Sequence, residues 1–244
     1  MFSKNNHRQA RMNILILGGS GGIGRALIAV IQQRYPQAFI FATYHRNLPN
    51  MVGISWHRVD IMQENDVRLL AESIDDVDWV INAVGALHID DAGPEKSLRQ
   101  VESQFFLDSM AINTLPTLLI GKYFLRHFRQ AKAPICATVS ARVGSIGDNK
   151  LGGWYSYRCS KAALNMAIKN ISIEWQRSIQ KGCIVALHPG TTDTELSKPF
   201  QVNVLPEKLF SPMKTAGLLV DVIETLQPSD SGRFIAYDGQ DITW

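Results

Sequence analysis

The sequence predicts a doubly wound α/β fold, a mainly parallel seven-stranded sheet flanked by helices. Three observations carry this. Short apolar runs alternate with helix-period stretches along the whole chain, the pattern of repeated βαβ units. The first apolar run leads directly into a glycine cluster, Gly18-Gly19-Ser20-Gly21-Gly22-Ile23-Gly24, and a helical pattern follows it. The length of 244 residues, 45 % of them apolar, suits one large α/β domain with a sizeable core.

The elements follow in order. Ile14–Leu17 is short and wholly apolar, as a strand buried on both faces should be. Arg25–Arg34 has helical periodicity. Phe39–Thr43 and Ser55–Val59 read as the second and third strands, the third ending at Asp60. Glu64–Ser73 is helical and Trp79–Asn82 is a fourth strand. Gln104–Gln130 is expected as one long helix, with Pro116 inside its pattern. Pro134–Ser140 is a fifth strand, Tyr157–Gln180 a second long helix, and Cys183–His188 a sixth strand. Thr215–Leu226 is a further helix and Phe234–Ala236 the last strand. Three longer irregular stretches, Leu87–Ser97, Arg142–Trp154 and Thr191–Ser211, all follow strands at their carboxyl ends, where open α/β sheets bind ligands. The third, with Pro199 and Pro206, either closes over substrate or is an ordered surface loop.

Composition narrows the function classes. The net charge of +3 is interspersed, so no basic stripe suggests nucleic acid. No apolar run approaches the ~18 residues of a membrane span. Residues 1–11 are polar and basic without an apolar segment, unlike a secretory signal, and read as a short arm ahead of a single domain, residues 12–244. Cys136, Cys159 and Cys183 have neither disulfide nor zinc spacing, and a reducing cytoplasm suits them. Cys136 and Cys183 fall in apolar runs and are expected to be buried. His57 and His88 lack partners for a metal, so none is expected.

Chemistry enters through Tyr157 and Lys161. Four residues apart on one helix, they share a face. A tyrosine with a pKa of about 10 is a poor acid or base at neutral pH. A neighbouring ammonium favours the phenolate and draws that pKa toward the working range. Tyr155 is no substitute, because Cys159 stands four residues beyond it. The glycine cluster supplies the second half of the argument. Gly18, Gly22 and Gly24, spaced G-x-x-x-G-x-G between a strand and a helix, allow a tight turn and close approach of backbone N–H groups to a pyrophosphate.

Taken together, Gly18-x-x-x-Gly22-Ile23-Gly24, Asn82-Ala83-Val84-Gly85, Asn113, Tyr157-x-x-x-Lys161 and His188-Pro189-Gly190 occur in the order of the short-chain dehydrogenases/reductases. The chain resembles that Rossmann-type family from Met12 to Trp244. Val143–Asn149, Gly152-Gly153-Trp154-Tyr155-Ser156-Tyr157 and Tyr237-Asp238-Gly239 resemble the carbonyl-reductase branch that includes the C-factor and sniffer proteins.

The resemblance implies a hydride transfer between a nicotinamide cofactor and a carbonyl or alcohol. Tyr157 would be the proton donor. Lys161 would hold the nicotinamide ribose and lower the tyrosine pKa, with Asn113 supporting a water relay to the lysine. The family places a serine pair after strand five, the second polarising the carbonyl; here the pair reads Ser140-Ala141. Ser140 is the expected catalytic serine, and Ser145 the alternative. Gly18, Ser20, Gly22, Ile23 and Gly24 would hold the pyrophosphate. Asp60 and Ile61 would meet the adenine, and Asn82, Ala83 and Gly85 would line the groove. Pro189 and Gly190 would turn beneath the nicotinamide, and Thr192 and Thr194 would bond its carboxamide or the pyrophosphate. His188 is expected to be structural.

Thr43-Tyr44-His45-Arg46 has no carboxylate to accept from a ribose 2′-hydroxyl. Arg46, with His45, could neutralise a 2′-phosphate, so NADP is the expected cofactor, with NAD possible. The basic residue usual before the middle glycine is replaced by Gly21. The two long helices carry apolar residues on more than one face, among them Leu118, Leu119, Phe124, Leu164, Met166 and Ile173, so a homodimer or homotetramer is expected. The substrate is expected to be a small carbonyl compound, with no membrane partner. The competing reading is a nucleotide-binding signalling or regulatory protein with little turnover. A nucleotide-sugar epimerase would carry more chain beyond the last strand.

Overall fold

The computed structural model describes residues 11–90 and 92–244. The expected N-terminal arm therefore lies outside the described residues except for Arg11, whose guanidinium sits 5.0 Å from the Phe39 ring centre.

Seven strands form the central sheet: β1 (Asn13–Leu17), β2 (Phe39–Tyr44), β3 (Ile54–Arg58), β4 (Trp79–Asn82), β5 (Ile135–Val139), β6 (Cys183–His188) and β9 (Phe234–Ala236). Their order is β3-β2-β1-β4-β5-β6-β9. Every pairing is parallel. Strand β1 pairs Ile14 with Ile40 of β2 on one side and with Trp79 of β4 on the other. The strand order reverses there, which makes the β1/β4 boundary the topological switch point.

Alternation within each strand builds two cores. Ile14 and Ile16 face α1 (Gly22–Arg34) and α7 (Pro212–Thr225), burying Leu27, Ile31, Leu219 and Ile223. Leu15 and Leu17 face the other layer, with Leu70 of α2 (Glu64–Glu72), Ile120 of α4 (Leu115–Tyr123), Phe128 of α5 (Leu125–Gln130) and Leu164 and Trp175 of α6 (Tyr155–Ser178). Period-two side chains thus meet helices on both faces, as a parallel sheet requires.

The expected helix Gln104–Gln130 is corrected. It is three helices, α3 (Ser103–Asn113), α4 and α5, broken at Thr114 and Phe124. Pro116 occupies the first turn of α4, where its missing N–H does no harm; within a continuous helix it would break a bond and clash with the preceding turn. α7 starts three residues earlier than expected: Ser211 caps it, its hydroxyl accepting from the Lys214 N–H at 3.2 Å, and Pro212 takes the first position. The stretch Thr191–Ser211 contains a clip unforeseen in the sequence, the parallel pair β7 (Thr191–Thr192) and β8 (Leu209–Phe210). Its two ends are pinned together, and the intervening residues include Leu196, Phe200 and Val204, which line a cleft.

Cys136 and Cys183 are buried as expected, and desolvation pushes both thiols up to about 12; Cys159 is exposed. Among the described residues, no helix is long and apolar enough to cross a membrane.

Candidate active site

The carboxyl ends of β4, β5 and β6 open into a cleft of about 760 Å³, which Ile23 joins from the glycine turn after β1. Gly18 has φ +71, in the left-handed region that favours glycine. Its N–H donates to the Thr43 hydroxyl at 2.9 Å, tying β1 to β2. A Cβ on Gly18 would stand 3.1 Å from the backbone of Ala83 and Val84, so glycine lets the β1 and β4 ends meet. A Cβ on Gly24 would lie 2.1 Å from the Gly18 carbonyl oxygen. The Gly21 N–H donates to the Gly18 carbonyl at 3.0 Å, and α1 begins at Gly22 with its first N–H groups unpaired by any capping side chain. That bare helix end is a ready anion cradle. The cradle fits the pyrophosphate of a dinucleotide.

The Asn82 carboxamide accepts from the Val84 N–H at 3.0 Å and donates to Thr117 at 3.1 Å, fixing the strand end that continues as Ala83 and Gly85. Asn113 is 2 % exposed at the end of α3. It makes a two-way bond to Ala86, accepting from its N–H at 3.0 Å and donating to its carbonyl at 2.9 Å, and donates to Ser160 at 3.1 Å. A methyl on Gly85 would stand 3.2 Å from Asn113 Oδ1 and 3.3 Å from Lys161 Nζ. The polar ends of Asn113 and Lys161 therefore converge on one glycine.

Lys161 is 2 % exposed and donates to the Val139 carbonyl at 3.1 Å. Desolvation lowers its pKa to about 8. Its Nζ lies 5.8 Å from the centre of the Tyr157 ring. Tyr157 lines the cleft, and the expectation that its pKa falls is corrected: burial raises it above the ordinary phenol value. The lysine is itself desolvated and bonded to a carbonyl, so its field does not offset the cost of a buried phenolate. Tyr157 is therefore a protonated donor across the neutral range.

The two serines separate. Ser140 lines the cleft, but its hydroxyl donates to Asn165 Oδ1 at 2.7 Å. Ser145 turns away: it donates to the Thr243 carbonyl and accepts from the Asp148 N–H at 3.1 Å, strapping the loop to the C-terminal segment. Ala141 lies in the cleft wall at the position of the second serine.

Ile23, Ala83, Gly85, Pro189, Gly190, Thr192 and Thr194 line the cleft. Thr192, however, spends its hydroxyl on Thr215 at 2.8 Å. Asp60, with Ile61 beside it, accepts from the Met62 N–H at 3.1 Å and so shapes its own turn after β3. Arg46 is exposed beyond β2, outside the cleft walls, as is its neighbour His45; Ser20 has its carbonyl bonded by the Arg25 side chain at 2.9 Å. His188 accepts from the Arg142 N–H at 3.3 Å, and burial with the nearby Arg142 charge lowers its pKa to about 4. The ring is therefore neutral, and it lines the cleft.

Sequence reasoning missed the entrance to α6. Gly152, Gly153 and Trp154 are all left-handed, with φ +63, +66 and +51. For a tryptophan this costs about 1–2 kcal/mol. Glu95, 3 % exposed, holds the segment. Its carbonyl accepts from the Trp154 N–H at 2.5 Å, and its carboxylate accepts from the Ser156 N–H at 3.2 Å and from the Ser156 hydroxyl. Trp154 carries no capping oxygen, so a carboxylate from the loop after β4 caps the helix that bears Tyr157 and Lys161. The only local sign is the Gly152-Gly153 pair.

With this geometry in view, comparison with known proteins gives the class. A family model described as short chain dehydrogenase matches residues 12–204, and the chain belongs to that family. It is an oxidoreductase of a family that binds nicotinamide cofactors. The C-signal protein of Myxococcus xanthus is 34 % identical over 169 residues, covering 69 % of this chain and 93 % of that one. The 1-hydroxy-2-glutathionyl-2-methyl-3-butene dehydrogenase of Rhodococcus sp. (strain AD45) is 28 % identical over 238 residues, covering 95 % and 99 %. Among solved structures, the NADPH-bound carbonyl reductase from chicken fatty liver superposes with a TM-score of 0.83 at 22 % identity, covering 96 % and 100 %.

Proposed function

We propose that this chain is an NADP-dependent reductase of a ketone or aldehyde. The observation that carries the reading is the convergence of Tyr157, Lys161 and Asn113 beside the glycine cradle. The chemistry a dinucleotide would supply when bound is a hydride for the carbonyl carbon. Tyr157 then gives its proton to the carbonyl oxygen, and an alcohol results. Lys161 holds the ribose hydroxyls and, while protonated, steadies the phenolate left behind. Asn113 keeps the Ala86 turn and the lysine in register. With Ala141 in place of a hydroxyl and Ser140 bonded to Asn165, Tyr157 alone polarises the carbonyl. Absorbance with NADPH, NADH and a panel of aldehydes and ketones tests the reading; no oxidation of either cofactor by any of them would refute it.

The same missing hydroxyl, with the likeness to C-signal, favours a second reading, a nucleotide-binding regulatory protein with little turnover. The two part on one result: tight NADPH binding without carbonyl-dependent oxidation belongs to the second.

The cofactor preference rests on Arg46. A charge-assisted bond to a 2′-phosphate is worth about 1.5–3 kcal/mol, or roughly tenfold to a hundredfold in affinity. Arg46→Ala should raise the NADPH dissociation constant by such a factor and leave NADH nearly unchanged. His45→Ala should do less. Cofactor fluorescence titrations give both constants, and equal losses for the two cofactors would reduce Arg46 to a solvated residue.

A homo-oligomer is part of the proposal. Leu119, Phe124 and Leu164, expected on a second face, are core residues of this chain. Leu107, Leu118, Met166 and Ile173 on α3, α4 and α6 are exposed. They supply the apolar surface for a second copy. Light scattering at micromolar concentration should give a dimer or tetramer mass, and a monomer mass would end the idea. The free thiols suit a reducing compartment such as the cytoplasm.

A further inference from the structure

The indole of Trp154 has no part in either hydrophobic core. It lies instead in the wall of the cleft. Nothing in the backbone calls for a tryptophan. A left-handed residue after Gly152-Gly153 is met most easily by a third glycine. The strained conformation is secured by one long-range bond, the Trp154 N–H to the Glu95 carbonyl, and by local bonds from the Arg158 side chain to the carbonyls of Gly152 at 3.2 Å and Gly153 at 3.1 Å. A strained side chain retained beside a reactive group points to a task for that side chain.

Its surroundings indicate the task. The Trp154 ring meets Tyr157 edge-on at 6.3 Å and Phe200 at 4.8 Å. Phe200 in turn stacks on His88 at 5.4 Å with only 18° between planes. Trp154 and Phe200, from two separate loops, thus form one aromatic wall that reaches the Tyr157 ring, with His88 stacked behind Phe200 outside the lining. Leu87 and Val204 extend the apolar lining, and no carboxylate faces the cleft among the described residues. A flat ring bonded to a carbonyl carbon would lie along this wall with its oxygen toward Tyr157.

We propose that Trp154 is a specificity-determining residue whose indole selects planar, aryl-bearing carbonyl substrates over alkyl ones of similar size. This rests on the reductase reading above. The test compares propiophenone with its saturated analogue, cyclohexyl ethyl ketone, under NADPH in the wild type, Trp154→Gly and Trp154→Phe. Glycine suits the left-handed backbone, so Trp154→Gly is expected to fold, with an unchanged or raised melting temperature and a NADPH dissociation constant within about twofold of wild type. The ratio of kcat/KM for propiophenone to that for cyclohexyl ethyl ketone should fall at least about tenfold, and Trp154→Phe should restore most of it. An equal ratio in the wild type and Trp154→Gly, or an equal loss for both ketones, overturns the proposal. Should the wild type reduce neither ketone, the reductase reading fails for these substrates, and calorimetry decides this inference separately. Propiophenone binding to the NADP⁺-loaded wild type that is lost in Trp154→Gly sustains it. Equal binding to the two proteins, or none to the wild type, refutes it.

Discussion

Tyr157→Phe is expected to lower carbonyl reduction by about 10²–10⁴-fold, the usual cost of losing a general acid, while NADPH still binds. Phenylalanine keeps the ring that packs beside Trp154 and over Lys161, so the cleft should keep its shape. Only the proton is lost. The same geometry fixes a pH dependence. Tyr157 is held protonated by burial, so the group that titrates first as pH rises is Lys161, lowered to about 8. As the pH climbs through that value the ammonium becomes an amine and loses its hold on the ribose and its support of the phenolate. kcat/KM for reduction should therefore be level through the neutral range and decline above about pH 8. Stopped-flow or steady-state rates across pH 6–10 check this. Near-normal turnover in Tyr157→Phe would remove the residue from the mechanism, and a profile flat to pH 10 would remove the charge on Lys161.

Gly24→Ala should be more damaging than its one added carbon suggests. The new Cβ would sit 2.1 Å from the Gly18 carbonyl oxygen and 2.9 Å from Gly19 Cα, and both neighbours are backbone. No rotamer relieves such a contact, so the turn must open or α1 must move. Opening the turn separates the N–H groups that face the pyrophosphate, and moving α1 disturbs Leu27 and Ile31 in the core. A loss of about 2–4 kcal/mol in stability is expected, together with loss of measurable NADPH binding. Gly21→Ala is the control. Its Cβ would meet only the Gly18 oxygen at 3.3 Å, and its backbone, φ −77 and ψ 170, suits any residue. Thermal unfolding and cofactor titration of the pair check the prediction; wild-type affinity in Gly24→Ala would show that the turn tolerates the carbon.

Local patterns made the framework readable. All seven sheet strands stand near their expected positions, because six are mainly apolar runs and the third, Ile54–Arg58, begins by alternating apolar and polar residues. The glycine turn and the Tyr157–Lys161 pair are readable for the same reason, since their spacing is itself the chemistry. Reading failed where a residue acts on a distant part of the chain. Glu95 caps a helix that begins sixty residues later, and nothing in the sequence beside it says so. Phe200 and His88 stack across more than a hundred positions. The break of Gln104–Gln130 was within reach, because Pro116 belongs in a first turn and not in a helix interior. The fate of Ser145 was not, because the Thr243 carbonyl that accepts its hydroxyl comes from the far end of the chain.

The strand order also governs when the site can form during folding. Strands β1 and β2 meet through a single intervening helix, so the glycine turn can close early around local contacts. The pairings of Trp79 with Ile135 and of Cys136 with Ile184 each close loops of about fifty residues. Those late closures bring Tyr157, Lys161 and Asn113 together. The contacts within the glycine turn are thus more local than those that bring the proton donor to the site. A dinucleotide that spans both halves binds the finished fold best and draws the equilibrium toward it by mass action. Refolding yield should thus respond to the cofactor more strongly than to inorganic pyrophosphate, which reaches only the early half.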